Sequence, residues 1–161
     1  MTEIATATVT SQVRAVLREA VEGPQHAWSY FTDSDPAAGL LGTVAPLGAE
    51  QASRPLGPSG TSIAGHMHHL AFSLAASAGW IRGERPSLDW SESWRVRTVT
   101  DAQWADLKTR LHQAWTELDQ AIEQHALDGD EAFGGAVGAV AHAAYHLAAI
   151  RQKVGIVVVG R

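Results

Sequence analysis

Apolar residues recur at helical spacing in four stretches of this chain, separated by stretches rich in glycine, proline and small polar residues. Val13, Val16, Leu17 and Ala20 predict a first helix over residues 8–31. Gly23-Pro24 interrupts it and predicts a kink or break there, with residues 26–31 continuing beyond. Residues 32–60 hold most of the Pro, Gly, Ser and Asp and predict a long ordered loop, with a helical turn near 49–52. A loop of that length in a compact domain is usually functional or a crossover. A second helix is expected from Thr61 or Ser62, either a good N-cap, to about Gly83, with Ile63, Met67, Leu70, Leu74 and Ile81 as its apolar stripe. After a loop over 84–99, Thr100 or Asp101 opens a third helix that ends near Gly129; its stripe is Trp104, Leu107, Leu111, Trp115, Leu118 and Ile122. The fourth helix is expected over 130–154. The short turn before it predicts that helices three and four are antiparallel neighbours.

No segment alternates with period two over a useful length. The pattern therefore predicts an all-α protein: a single domain, 1–161, built as a four-helix bundle with long loops between helices one and two and between two and three. Residues 156–159 form a β-prone apolar run expected to follow the last helix and to pack on its own bundle or across a homodimer.

Composition narrows the function. A chain of 161 residues fits one domain with a core large enough to fold without cross-links. The net charge is -5 and the basic residues are scattered, so no nucleic-acid surface is expected. There is no cysteine, hence no disulfide, no thiolate metal site and no cysteine nucleophile; a cytoplasmic setting is expected. The first residues lack a basic and an apolar region, so no secretory signal is expected, and no unbroken apolar run reaches the roughly 18 residues of a membrane span. Six tryptophans are many for this length and point to a deep core or a lined pocket. Trp90 and Trp94, in the 84–99 loop, are expected to close a pocket or contact a ligand there, with loop 32–60 as a second candidate for the pocket mouth.

The chemistry lies in the histidines. His142 and His146 stand four residues apart in Val140-Ala-His-Ala-Ala-Tyr-His-Leu-Ala-Ala-Ile150, which puts both imidazoles on one face of a helix. Two ligands one turn apart suit a single metal ion. An isolated pair of this kind is as readily two hydrogen-bonded core histidines. A second cluster, His66, His68 and His69 on the second helix, favours metal, because a third imidazole would complete a site with open positions for chemistry. At about 100° per residue, His68 falls opposite the apolar stripe, where solvent is expected. His66 falls within the stripe and His69 on its flank. The spacing favours His66 slightly but does not decide between them. Gly135, Gly138, Ala139 and Ala149 share the face of His142 and His146, leaving room for an ion or allowing close helix packing. His26, His112 and His125 read as surface or core-edge residues.

Other metal and phosphate patterns are missing: no H-E-x-x-H run, no paired E-x-x-H motifs, no phosphate loop. Gly57-Pro-Ser-Gly60 is a turn. No carboxylate is expected on the inner faces of helices two and four, and Glu84 is the nearest acidic candidate for a general base.

Two segments together resemble the DinB/YfiT-like family of metal-dependent four-helix-bundle proteins. They are Thr61-Ser-Ile-Ala-Gly-His-Met-His-His-Leu-Ala-Phe-Ser-Leu74 and Val140-Ala-His-Ala-Ala-Tyr-His-Leu-Ala-Ala-Ile-Arg-Gln152, with Gly83-Glu84, Asp89-Trp90 and Ser93-Trp94 between them. The likeness runs over about residues 13–152. It implies a bundle fold and a metal held by a histidine before a leucine on helix two and by an H-x-x-x-H pair on helix four. Carried across, that selects His69, before Leu70, with His142 and His146. Ala148 departs from the glycine many members have two residues after the last histidine, which bears on pocket size. The resemblance implies a divalent ion, zinc or nickel, with iron or manganese as alternatives. It also implies a small-molecule substrate, in some relatives a low-molecular-weight thiol such as mycothiol or bacillithiol. Two functions are thus expected: a metal-dependent enzyme using such a thiol, or a non-catalytic metal- or ligand-binding bundle in stress response or sensing.

Overall fold

The computed structural model describes residues 5–30, 32–58, 60–125, 127 and 129–159. These form six α-helices, a 3-10 turn and no strand: α1 Thr6–Glu22, α2 Leu40–Val44, α3 Ala49–Ser53, α4 Ile63–Ile81, the turn Glu92–Trp94, α5 Asp101–Gln124 and α6 Asp130–Val159. The all-α expectation therefore holds for the described residues.

The four long helices stand where the apolar stripes put them, and the differences lie at their ends. α1 stops at Glu22 and does not resume. Gly23 takes φ 107°, and a Cβ there would meet the Pro36 carbonyl oxygen at 2.2 Å. Only glycine fits this close approach of the following loop, so the chain leaves the helix instead of kinking. Phe31, the expected end of the first helix, lies outside the described residues, as does Ser59 of the 57–60 turn. Within the 32–60 stretch, the expected helical turn is α3, and α2 is an additional short helix. α4 begins as expected: Ser62 Oγ accepts the Gly65 N–H at 3.1 Å. α5 is opened by a reciprocal cap between Thr100 and Gln103 and ends at Gln124, earlier than expected. α6 runs on to Val159, so residues 156–159 are helical, not a trailing β-prone run. Continuing the helix satisfies their backbone groups and puts Val157 in the core at 2% exposure.

α4 packs against both α5 and α6, and α1 packs against the same two helices. α5 and α6 are therefore not side by side, against the expectation from the short turn between them. Five residues separate the two helices along the chain, and α4 and α1 fill the space between them. One core runs through the middle, with Leu17, Leu70, Leu74, Leu107, Leu111, Trp115 and Ile150 inside it. Polar clamps lock the outer pairs: Arg14 grips both oxygens of Asp119 at 2.8 and 2.9 Å, tying α1 to α5. Two tryptophans are core residues with satisfied N–H groups, Trp104 to the Leu47 carbonyl and Trp115 to Glu22. At the far end of α6, Arg151 and Lys153 hold the 32–60 stretch through the carbonyls of Ala38 and Leu56.

α6 also corrects the reading on membranes. Over Asp130–Val158 it is long and apolar enough to cross one, with a mean hydropathy of 1.3 in its best window. Histidines broke the apolar run in the sequence, but glycine, alanine and valine around them keep the average high.

Candidate metal centre

α4 and α6 carry the histidines and the loop over 84–99 closes on them. Near their middles, the packed pair of helices brings three imidazoles together, one from α4 and two from α6. His69 Nε2 lies 3.1 Å from His142 Nε2, and His142 Nε2 lies 2.9 Å from His146 Nε2. His69 and His146 are buried and His142 is half-buried. This group can hold a metal ion. A tetrahedral ion with bonds of about 2.0–2.1 Å places its nitrogen ligands roughly 3.3 Å apart. The His69–His142 and His142–His146 pairs need to open by only a few tenths of an ångström to meet that, and all three ligand nitrogens lie within 4.8 Å of one another.

Hydrogen bonding fixes which nitrogen faces inward. Ser93 Oγ donates to the Trp90 carbonyl at 2.6 Å, so it can only accept from His69 Nδ1, 2.8 Å away. His69 therefore carries its proton on Nδ1 and turns a bare Nε2 to the centre. At that point one Nε2 hydrogen cannot serve both inner contacts, and at least one pair of nitrogens meets lone pair to lone pair. A cation between them removes that conflict. His66 Nδ1 lies 3.0 Å from His146 Nδ1. With His146 protonated on Nδ1, His66 accepts there, and His146 too presents a bare Nε2.

His66 is thus neither a bystander nor a member of the three. It is buried against the back of His146, which accounts for its place within the apolar stripe. His68, expected in solvent, is half-buried, and its Nδ1 donates to the Ser93 carbonyl at 2.8 Å. The loop over 84–99 comes down onto α4 and draws it in. Sequence reasoning missed Ser93, which binds two histidines and is fully buried. The sequence offered Ser93 only as part of Ser93-Trp94 in the family resemblance, with no role attached to it.

Those tryptophans sit at the site as expected. The Trp94 ring stacks on His69 with centroids 4.0 Å apart and planes 15° from parallel. Trp90 lies 6.3 Å from the same ring, and Trp94 also lies edge-on to His66. Among the described residues of 32–60, none makes these ring contacts. Glu84 is on the surface with Arg82, away from the histidines. His26 and His112 are exposed and His125 is half-buried, away from the site.

Burial keeps all four imidazoles neutral. It pushes His66 down to about 4, helped by the charge of Lys153. It pushes His69 to about 4 and His146 to about 3, with neighbouring imidazoles adding to the effect. His142 is lowered by burial as well. Neutral imidazole is the form that binds metal, so the geometry and the protonation state agree. No family model, curated protein or solved structure matches the chain.

Proposed function

We propose that His69, His142 and His146 bind one divalent ion, and that the four long helices form a DinB/YfiT-like bundle whose activity is metal-dependent use of a low-molecular-weight thiol. The observation that carries the metal reading is the convergence of three Nε2 atoms whose outer nitrogens on His69 and His146 are held by Ser93 and His66. All-imidazole donors suit zinc or nickel, with iron or manganese as alternatives. Three protein ligands leave positions for water or substrate. A bound ion would act as a Lewis acid and lower the pKa of a water or thiol there.

The protein's own residues do the rest. Ser93 holds the His69 proton on its outer nitrogen, away from the centre, and His66 meets the outer nitrogen of His146. Trp94 covers one face of His69 and limits water on that side. A thiol activated by an ion needs no separate base, which fits a site with no carboxylate among its described neighbours. That same lack of a base favours the second reading, a non-catalytic metal- or ligand-binding bundle in sensing or stress response.

Metal analysis after expression with each ion, for the native chain and for His69→Ala, His142→Ala and His146→Ala, tests the centre. About one ion per chain is expected in the native protein and a strong loss in each variant; His68→Ala should keep its metal. Calorimetry with low-molecular-weight thiols, then an assay of transfer to an electrophile, separates the two functions. Turnover that disappears in His146→Ala supports the enzyme, binding without turnover supports the sensor, and a native protein that binds neither metal nor thiol refutes both.

A further inference from the structure

α1 and the segment that follows it enclose a cavity of about 410 Å³ that shares no residue with the histidine cluster. One wall is α1, with Arg18 and Glu19; the other is the segment, with His26, Trp28 and Tyr30. Trp28 and Tyr30 are each 54% exposed, whereas Trp104 and Trp115 are sunk in the core. Core packing therefore does not account for these two rings. Exposed aromatics set side by side mark a binding surface.

The segment has neither helix nor strand to hold it, yet its rings are fixed in place. Glu19 is buried, and its carboxylate accepts the Ser29 hydroxyl at 2.6 Å and the Tyr30 N–H at 2.9 and 3.1 Å. Gln25 ties the segment back to the Gly23 carbonyl. Trp28 meets Tyr30 edge to face, with centroids 4.8 Å apart and planes 80° from parallel, and His26 lies nearly parallel to Trp28. The Trp28 and Tyr30 rings thus make a right-angled corner before any ligand arrives, and little ordering is left for binding to impose.

Charge selects the ligand. Arg18, which lines the cavity, is matched by Asp119 and Glu22, and Arg14 behind it by Asp119 and Glu123. With Glu19 added, four carboxylates surround two guanidiniums, so the local field is negative. Aromatic faces are negative as well, and together they favour a cation. Glu19 narrows the class. It is buried and its oxygens already accept hydrogen bonds, so it offers charge but no exposed acceptor. A primary ammonium in the corner would give up water without gaining a hydrogen bond from it. A quaternary ammonium has no N–H to satisfy and is held by field and ring faces alone. The exposed amides of Gln12 and Gln25 line the same cavity and are left for a polar tail. We propose that this cavity binds a quaternary ammonium compound of the choline type, its trimethylammonium group in the corner of Trp28 and Tyr30.

Calorimetry of the full chain with choline should show a single saturable site. The neutral analogue of choline, with carbon in place of nitrogen, should bind about 10-fold more weakly, because it loses the cation–π attraction. Ethanolamine should also bind more weakly than choline. Trp28→Ala should weaken choline binding about 10-fold and Trp28→Phe less, both with unchanged helical circular dichroism because the ring is exposed. His146→Ala should bind choline as the native chain does. Phosphatidylcholine vesicles separate the two sources of this chemistry: flotation that requires Trp28 supports a lipid headgroup as the ligand, and choline binding without flotation supports a free one. Absence of saturable binding overturns the inference, as does a neutral analogue or ethanolamine that binds as well as choline, or a Trp28→Ala variant that binds like the native chain. Loss of choline binding in His146→Ala would move the cation to the histidines and overturn it equally.

Discussion

Ser93 and His66 matter because they decide where protons sit. Each holds the outer nitrogen of one imidazole, and without that partner the ring can turn or change tautomer. Ser93→Ala or His66→Ala should therefore weaken metal binding about 10–100-fold while leaving its stoichiometry intact, as competition with a chelating dye would read. Protonation at the same residues sets a pH dependence. The folded values of His66 and His69, about 4, and of His146, about 3, lie below the ordinary 6.5. The unfolded chain then binds these protons first. Stability of the chelated protein should be full above about pH 6.5, fall as pH drops from there toward about 4, and level off below the folded values. Urea denaturation across that range checks it; a stability flat down to pH 4 would show these imidazoles to be no more buried than those of an unfolded chain. Metal release, expected from unperturbed histidines near 6.5, should by the same burial move to lower pH.

At the scale of the elements, α4 and α6 do two jobs each. α4 uses Ile63, Met67, Leu70 and Leu74 for the core, all buried, while His66 and His69 lie on the neighbouring strip toward α6. Its stripe was legible in the sequence because large apolar side chains repeat every three or four residues. The choice between His66 and His69 was not, because about 60° of helix rotation separates them and only the position of α6 settles which one reaches His142. α6 was legible as a helix but not in length. Residues 156–159 favour strands in isolation, yet a helix already nucleated extends through them, adding one backbone hydrogen bond per residue. Truncation after Gly155 should lower the melting temperature, because it removes Val157 from the core; an unchanged thermal transition would place that turn outside the cooperative unit.

Across the whole molecule, the core is continuous without any ion, through Leu17, Leu70, Leu111, Leu118 and Ile150. Chelation should therefore lower the melting temperature but leave the helical circular dichroism in place. An ion contributes only its mass-action term, about 2.7 kcal/mol at a hundred times its dissociation constant. Loss of helix on chelation would mean that the histidines hold the fold together. The amino-acid sequence by itself determined the all-α class, four long helices with their buried stripes, the starts of α4 at Thr61 or Ser62 and of α5 at Thr100 or Asp101, and the two histidine segments. Those features depend on residues within a few turns of one another, where side-chain periodicity and capping act directly. Only the tertiary structure decided that α1 stops at Gly23, because the steric reason is Pro36 in a later loop. It alone separated α5 from α6, since a short turn limits distance but not which helices fill the space between. It alone brought Ser93 to His69 and His66 to His146, pairings across 24 and 80 residues that no local pattern encodes.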